Sequence, residues 1–216
     1  IVDFSLPTGL DGELMVEAVQ FVTSSRGYLA GYIKTSSQKR GVAYKTDNAG
    51  ESWTMLTDVV AADLEKVQMV TSLIGFAVGK DGILLRTDDG GNSWDMENLY
   101  DIGISVQLND LNFYLNGTNI NGLIVGNSGT IIEYNGSAYS VLSGNSTVSK
   151  YNINSDDDIT SVTRKGNANY ISVDFHPNNG DPFGMMYKKG NSATSWTPLH
   201  KVKAPELTDV QYIANK

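Results

Sequence analysis

The sequence contains no cysteine among its 216 residues. Disulfide frameworks, thiol nucleophiles, cysteine-ligated zinc and iron–sulfur clusters are therefore excluded. Histidine is almost as scarce, because only His176 and His200 are present and they lie apart in the sequence. We therefore expect neither a metal site nor a cofactor.

Positive charge and long apolar runs are also lacking. Lys and Arg number 16 against 24 Asp and Glu, which gives a formal net charge of -8. Binding to a polyanionic backbone needs clustered cations, so we expect no nucleic acid partner. No run approaches the roughly 18 apolar residues of a membrane helix, so we expect no membrane insertion. The sequence starts at Ile1 without a basic segment followed by an apolar one, which predicts a processed or excised chain without a leader.

Glycine and small polar residues are abundant. Gly occurs 22 times, whereas only 19% of the residues are charged, and this balance favours strands and turns over helices. Hydrophobic residues make up 40% of the chain, which is enough for a sizeable core. The length fits one large domain or two small ones, and all-β folds of this size are frequently single domains.

A repeated pattern of short apolar segments runs through the chain. Each copy has a short apolar segment, Gly-flanked in the first three copies, then a second apolar segment, a turn and an aromatic residue. The copies join 27–31 to Trp53, 75–79 to Trp94, 122–126 to Tyr139 and, more loosely, 170–173 to Trp196. The short alternating segments that open the units are marked, at spacings of 44 to 51 residues, by Val19, Val67, Leu111, Ile159 and Val210. That period is typical of four-stranded propeller blades.

The sequence therefore predicts an all-β fold, a β-propeller of four-stranded antiparallel blades in a single domain over residues 1–216. Four blades are clear, at approximately 17–58, 65–100, 108–143 and 157–200, and the termini 1–8 and 207–216 contribute to a shared or incomplete fifth blade. Only residues 59–67 read as a helical turn. The fifth blade is either rudimentary or a sign that the chain is a piece of a larger propeller, and the second explanation is favoured. Open strand edges of such a piece are expected to associate with another copy or another chain.

The most specific pattern lies in two turns, Thr46-x-Asn48-x-Gly50-x-Ser52-Trp53 and Thr87-x-Asp89-x-Gly91-x-Ser93-Trp94. In such a turn the Asp or Asn side chain can accept backbone N–H bonds, Gly can supply a positive φ, and the hydroxyl can close the hairpin. The indole ring is expected to pack between neighbouring sheets. We therefore predict structural roles for Thr46, Asn48, Gly50, Trp53, Thr87, Asp89, Gly91 and Trp94.

These two turns resemble the Asp-box (BNR) repeat, Ser/Thr-x-Asp-x-Gly-x-x-Trp. The second turn matches it fully, whereas the first has Asn48 in place of the Asp. The resemblance is to the Asp-box β-propellers, which include sialidases, sortilin-type receptors and the photosystem II assembly-factor (Ycf48-like) group with its many secreted relatives. It implies that the turns lie at the blade periphery, away from a ligand face. It also implies an extracellular, periplasmic or cell-surface location.

Sialidase activity can be tested against the arginine content of the chain. Such an enzyme needs three arginines around the substrate carboxylate, a Tyr nucleophile with a Glu partner, and an acid/base Asp. The four arginines of this chain, Arg26, Arg40, Arg86 and Arg164, show no grouping of that kind. We therefore expect that the chain is not an enzyme. The acidic run at 156–158 has two interpretations, a calcium ligand set or a solvated loop, and the second is favoured.

Two longer connections between second and third strands are the best candidates for a partner site. Residues 33–40 carry Lys34, Lys39 and Arg40, and residues 176–182 carry His176, Asn178 and Asp181. Binding residues concentrate in such loops, and both are expected on the same propeller face.

The sequence thus predicts a non-catalytic, secreted or surface-displayed recognition module that binds a glycan or a protein. One alternative is an assembly-factor-like scaffold for a membrane complex, although a basic Arg-rich face would be expected there and this acidic chain shows none. Another alternative is a non-catalytic part of a larger glycoside hydrolase.

Overall fold

The computed structural model describes residues 3–4, 12–60, 62–142, 153, 155–176, 181, 183–193, 195–202 and 207–210. The chain divides into two compact units, Ile1–Gln107 and Leu108–Lys216. Each unit contains two antiparallel four-stranded meanders, in which consecutive strands pair. The prediction of an all-β fold built from four such blades is confirmed.

The first unit holds the first and second sheets. The first sheet consists of β2 (Glu13–Phe21), β3 (Gly27–Lys34), β4 (Lys39–Thr46) and β5 (Ser52–Val60), with β1 (Asp3–Phe4) parallel to β5. The second sheet consists of β6 (Leu64–Met69), β7 (Gly75–Gly79), β8 (Leu84–Thr87) and β9 (Asp95–Met96).

The second unit holds the third and fourth sheets. The third sheet consists of β10 (Leu108–Asn116), β11 (Asn119–Gly126), β12 (Thr130–Tyr134) and β13 (Tyr139–Val141). The fourth sheet consists of β14 (Asp158–Lys165), β15 (Ala168–Phe175), β16 (Phe183–Gly190) and β17 (Thr197–Val202).

One segment differs from the sequence-based expectation, and the two terminal segments are described only in part. The predicted helical turn at 59–67 is wrong, because β5 runs to Val60 and β6 begins at Leu64 and pairs antiparallel with β7. Near the N-terminus, the structure pairs Asp3–Phe4 with β5 of the first sheet. At the C-terminus, residues 207–210 form no strand but lie on the fourth sheet, where the Thr160 hydroxyl donates to the Leu207 carbonyl. The rest of both predicted terminal segments lies outside the described residues.

Helices are almost absent from the described part of the chain. The two that occur there, Lys80–Gly82 and Tyr100–Ile102, are 3-10 turns of three residues each. No helix in the described residues has the length and apolar character needed to cross a bilayer.

In each unit the core lies between the two sheets. In the first unit it is formed by Tyr28, Ala30 and Ala43 of the first sheet and by Leu64, Val67, Met69, Ala77 and Leu85 of the second. In the second unit Leu123, Val125 and Ile131 of the third sheet meet eight residues of the fourth, including Ile159, Val162, Tyr187 and Trp196. Burying each large apolar side chain contributes roughly 1.5–3 kcal/mol, so this sheet-to-sheet packing is the main stabilising term within each unit.

The first strands of the four sheets share one register. Each has a β-bulge at the same place, after Val16, Leu64, Leu108 and Ile159. Counted from these bulges, the apolar residues of β6, β10 and β14 are 0–5% exposed: Leu64, Val67 and Met69; Leu108, Leu111 and Phe113; Ile159 and Val162. Their counterparts on β2 are Val16, Val19 and Phe21, here called the β2 apolar strip, and these are 49%, 57% and 47% exposed. The first sheet therefore has the same apolar residues on its first strand as the other sheets, but in this sheet they are about half exposed.

Candidate functional site

The 46–53 turn is closed by the side chain of Asn48. Its Oδ1 accepts hydrogen bonds from the Thr46 hydroxyl at 2.8 Å and from the Ser52 backbone N–H at 2.9 Å. Its Nδ2 donates to the Ser52 hydroxyl at 2.9 Å, and the Gly50 N–H donates to Thr46 Oγ1 at 3.0 Å. Gly50 has a φ of 87°, a conformation that favours glycine.

The 87–94 turn has the same geometry with a carboxylate at its centre. Asp89 Oδ1 accepts from the Thr87 hydroxyl and from the Ser93 N–H, both at 2.9 Å, and the Gly91 N–H donates to Thr87 Oγ1 at 2.9 Å. The Ser93 hydroxyl donates to Asp89 Oδ2 at 2.7 Å, whereas Ser52 accepts in the first turn. These bonds, led by that from the Ser93 hydroxyl, lower the pKa of Asp89 to about 2.

The two tryptophans of these turns pack differently. Trp94 is partly buried against the core that both sheets of the first unit form. Trp53 belongs to a separate cluster made of first-sheet residues alone, and its ring meets Phe21 edge-on with centroids 6.1 Å apart. Trp94 therefore packs between neighbouring sheets as expected, whereas the hydrophobic cluster that contains Trp53 is formed by residues of its own sheet.

Half of the predicted loop at 33–40 is strand. β3 continues to Lys34 and β4 begins at Lys39, so only residues 35–38 form the turn. Lys34 is exposed, and Arg40 is half-buried on β4. Lys39 lies over the Tyr32 ring, with its Nζ 4.1 Å from the centroid.

A buried carboxylate, missed by sequence reasoning, anchors this hairpin. Asp63 is 3% exposed and accepts from Lys39 Nζ at 3.1 Å and from Lys80 Nζ at 2.6 Å. It therefore ties the first sheet to the end of β7 in the second. Burial raises the pKa of nearby Glu65, and the negative charge of Glu17 adds to this effect.

The second predicted loop, at 176–182, connects β15 to β16, and only its two ends are described. His176 is exposed, and its Nε2 is 3.7 Å from Asp174 Oδ2. Asp181 is exposed, and Asn178 lies outside the described residues. The two predicted loops belong to different units of the chain, so each stands as a separate candidate.

The acidic run at 156–158 is engaged in turn contacts. Asp157 is 2% exposed, and its backbone carbonyl accepts from the Gly129 N–H at 2.7 Å. Asp158 Oδ1 accepts from the Ser128 N–H at 3.1 Å. Within the described ranges, no three His, Asp or Glu side chains converge as metal ligands would.

Three arginines bind close partners at strand ends. Arg26 Nε donates to Asp47 Oδ1 at 2.6 Å, and this hydrogen bond lowers the pKa of Asp47. Arg86 Nη2 donates to Asp88 at 2.9 Å. The Arg164 guanidinium lies over the Tyr114 ring, 3.8 Å from its centroid.

In each unit, a polar groove opens where two neighbouring sheets meet. The first groove, of about 390 Å³, is lined by Lys45, Asp47, Asn48, Ser52, Thr54, Leu56 and Asn92. The second groove, of about 340 Å³, is lined among others by Tyr114, Asn116, Asn121, Glu133, Leu142, Asn169, Lys189, Asn191 and Trp196. Both volumes lie in the lower part of the roughly 300–1,000 Å³ range of small-molecule sites.

The two grooves occupy equivalent places in the repeat. Lys45 pairs with the residue after Gly27, and Glu133 pairs with the residue after Gly122. Leu56 on β5 and Leu142 directly after β13 follow at matching positions, each two residues beyond the outer-strand partner of Lys45 or Glu133. Sequence reasoning missed both grooves as sites, although aligning the third repeat on the first places Glu133 at the position of Lys45.

The comparisons with known proteins show the fold. No family model matches the sequence, and no curated protein matches it significantly. Among solved structures, YCF48 from Cyanidioschyzon merolae matches 94% of this chain at 18% identity with a TM-score of 0.62. YCF48 bound to D1 peptide matches 88% at 18% identity with a TM-score of 0.59. The Niastella koreensis GH74 enzyme matches 85% at 17% identity with a TM-score of 0.63.

These structures share the blade architecture described above, and their chains are longer. The matched parts are 62% and 54% of the two YCF48 chains and 30% of the GH74 chain. This chain therefore has the fold of β-propellers of the YCF48 and GH74 type, and it spans less than two thirds of the length of these structures.

Proposed function

We propose that the chain is a non-catalytic recognition module that binds a protein or a glycan partner. The observation that carries this proposal is the recurrence of an open polar groove at equivalent positions of two blade pairs. The lining of the first groove includes two hydroxyl and two carboxamide side chains, and that of the second includes four carboxamides and the Tyr114 hydroxyl. These groups bind ligands by hydrogen bonding and do not act as acids or bases near neutral pH.

The charged side chains add support to a binding role. Arg26, Arg86 and Arg164 each contact a local partner, whereas carboxylate capture of the sialidase kind needs three guanidinium groups around one substrate. Asp89 is occupied by the hydrogen bonds of its own turn. These arginine and aspartate side chains therefore stabilise local structure within the blades.

The similar structures give precedents for both partner classes. One of the YCF48 structures is bound to D1 peptide, and another similar structure is that of a GH74 enzyme. For this chain, an assembly-factor-like scaffold and a non-catalytic part of a larger glycoside hydrolase remain the alternative functions. We also propose an extracellular, periplasmic or cell-surface location, on the basis of the Asp-box resemblance.

Self-association is part of the proposal. The β2 apolar strip is half exposed although its counterparts on the other first strands are covered. A second copy that covers this strip would complete the interface pattern of the first sheet.

The experiment that tests the proposal combines three assays on the full chain. We expect binding on a glycan array, or recovery of a defined partner in a pull-down from membrane and soluble fractions, together with no release of reducing sugar from oligosaccharide substrates. Sugar release by the purified chain that exceeds that of a heat-denatured sample would contradict the non-catalytic proposal. Recovery of a membrane complex would favour the scaffold alternative.

A further inference from the structure

The second groove contains two carboxamides whose orientation is fixed. Arg164 Nη1 donates to Asn169 Oδ1 at 3.1 Å and to Asn191 Oδ1 at 3.0 Å. The Arg164 guanidinium is itself held against Tyr114 by a cation–π contact. Because both carboxamide oxygens accept from Arg164, the NH₂ groups of Asn169 and Asn191 are the parts left to donate to a ligand.

The same groove holds four polar side chains with no internal partner. Asn116, Asn121, Glu133 and Lys189 line it, and none has a hydrogen-bond or ion-pair partner in the described part of the chain. In the first groove, by contrast, Lys45 lies 3.5 Å from Asp47, and Asn48 is bound within its own turn. Donors and acceptors that the fold does not use are therefore concentrated in the second groove.

The charges of this lining favour an uncharged ligand. Glu133 and Lys189 carry one charge of each sign, so a charged ligand attracted to one would face the other. A hydroxyl group both donates and accepts, and it matches carboxamides, a carboxylate and an ammonium group equally well.

The apolar lining argues against a peptide. Leu123 and Trp196 are 4% and 3% exposed, so they offer almost no surface, and Leu142 is only half-buried. Peptide recognition usually relies on several apolar pockets for side chains, whereas the accessible apolar lining among the described residues is limited to Leu142, Ala193 and the Tyr114 ring.

We infer that the second groove binds a short neutral saccharide through Asn116, Asn121, Glu133, Lys189 and the oriented NH₂ groups of Asn169 and Asn191. This inference rests on the proposed function and narrows its partner to a carbohydrate at a defined place. A volume of about 340 Å³ suits a small polyhydroxylated ligand.

The test uses a glycan array carrying neutral, sialylated and uronic-acid-containing oligosaccharides, followed by calorimetry with the strongest neutral oligosaccharide. We expect Asn121→Ala, Glu133→Gln and Lys189→Met each to weaken binding roughly tenfold, the size of one hydrogen bond to a charged or well-placed group. The matched controls are Lys188→Met and Asn119→Ala, which replace neighbours outside the groove lining and should change affinity by less than about twofold. Thermal unfolding of each variant verifies that it is folded.

The sign of the effects identifies the ligand charge. Binding of a neutral saccharide is weakened by both Glu133→Gln and Lys189→Met. Binding of an anionic ligand would instead be strengthened by Glu133→Gln and lost with Lys189→Met. That anionic pattern, or the reverse pattern of a cationic ligand, would overturn the inference. So would a neutral oligosaccharide whose affinity none of the groove variants alters.

A peptide array of 12-residue segments separates this inference from the proposed function. Peptide binding that the groove variants abolish, without glycan binding, would overturn the saccharide inference and leave a recognition module. Absence of binding to glycans, peptides and pulled-down proteins alike would overturn both.

Discussion

At the scale of single residues, the two turns show how one geometry tolerates either Asn or Asp. Asn48 donates to the Ser52 hydroxyl, whereas Asp89 accepts from the Ser93 hydroxyl. A serine hydroxyl can rotate to do either, so the hydroxyl reverses its role and the turn is preserved. The decisive feature is therefore a planar side chain with an oxygen that can accept the backbone N–H of the residue four positions further along the turn.

This leads to a prediction for Asp89. We expect Asp89→Asn to lower the melting temperature only slightly, because Asn48 already supports the same turn, and Asp89→Ala to lower it by several degrees through loss of all three hydrogen bonds. Asp88→Asn is the matched control, since Asp88 is an exposed neighbour whose ion pair with Arg86 is at the surface. Equal losses for the Asn and Ala variants would contradict the interchangeability of the two turns.

The pKa of Asp89 also predicts a pH dependence. In the folded state it is lowered to about 2 from the ordinary 3.8, so the ionised form stabilises the fold at and above about pH 4. That contribution is lost as the pH falls from about 4 through about 2. We therefore expect the difference in melting temperature between the unaltered chain and Asp89→Asn to be greatest above pH 4 and to shrink towards pH 2. A difference that stays constant over this window would show that the ionisation of Asp89 is not its cause.

At the scale of strands, glycines opposite the bulges let neighbouring strands approach closely. A Cβ added to Gly79 would lie 2.0 Å from the Asp63 carbonyl oxygen, and one added to Gly31 would lie 2.0 Å from that of Met15. We expect Gly79→Ala to destabilise the fold by about 1–3 kcal/mol, because the strand must shift. Gly190→Ala is the control, since its Cβ would meet only one atom, at 4.0 Å. Urea unfolding of both variants measures this, and equal stability for the two would contradict the close approach.

The Asp63 anchor predicts a non-additive effect between elements. Lys39→Met alone or Lys80→Met alone leaves one ammonium group on the buried carboxylate, and each should cost about 1 kcal/mol or less. The double variant leaves Asp63 without either partner and should cost about 3–5 kcal/mol. A double-mutant cycle by urea unfolding measures the coupling. Simple additivity of the two single variants would show that the lysines do not share this carboxylate.

At the scale of the whole molecule, the repeat was predictable and the grooves were not. The Gly-rich and Asn/Asp-rich turns are encoded locally, so the strands of the 27–53 and 75–94 segments could be placed from the sequence. The second groove requires Asn121 and Glu133 to meet Lys189 and Asn191, and this depends on which faces of two sheets pack together. Sequence reasoning also extended the 33–40 loop too far, because strand pairing continues to Lys34 and Lys39. Both the position of the second groove and the length of the 33–40 loop depend on how strands and sheets pair in three dimensions, which local sequence patterns do not encode.

The shared register of the first strands yields a prediction for the molecule as a whole. Val19 and Val67 occupy the same position after the bulge, yet they are 57% and 3% exposed. We expect Val67→Lys to cost more than about 3 kcal/mol, because it buries a charge without a partner. Val19→Lys should change the free energy of unfolding by less than about 0.5 kcal/mol, as an exposed substitution does.

Val19→Lys should, however, alter association. If a second copy covers the β2 apolar strip, the unaltered chain will sediment faster as its concentration rises, and Val19→Lys will abolish that dependence by placing a charge in the apolar contact. Leu115→Lys is the control, because Leu115 is an exposed apolar residue, 54% exposed, that lies outside the strip. Two results would refute association through the β2 apolar strip. One is sedimentation of the unaltered chain that does not depend on concentration, and the other is an equal loss of this dependence in Leu115→Lys. In either case the contrast between Val19 and Val67 in stability tests the equivalence of the blades independently of any partner.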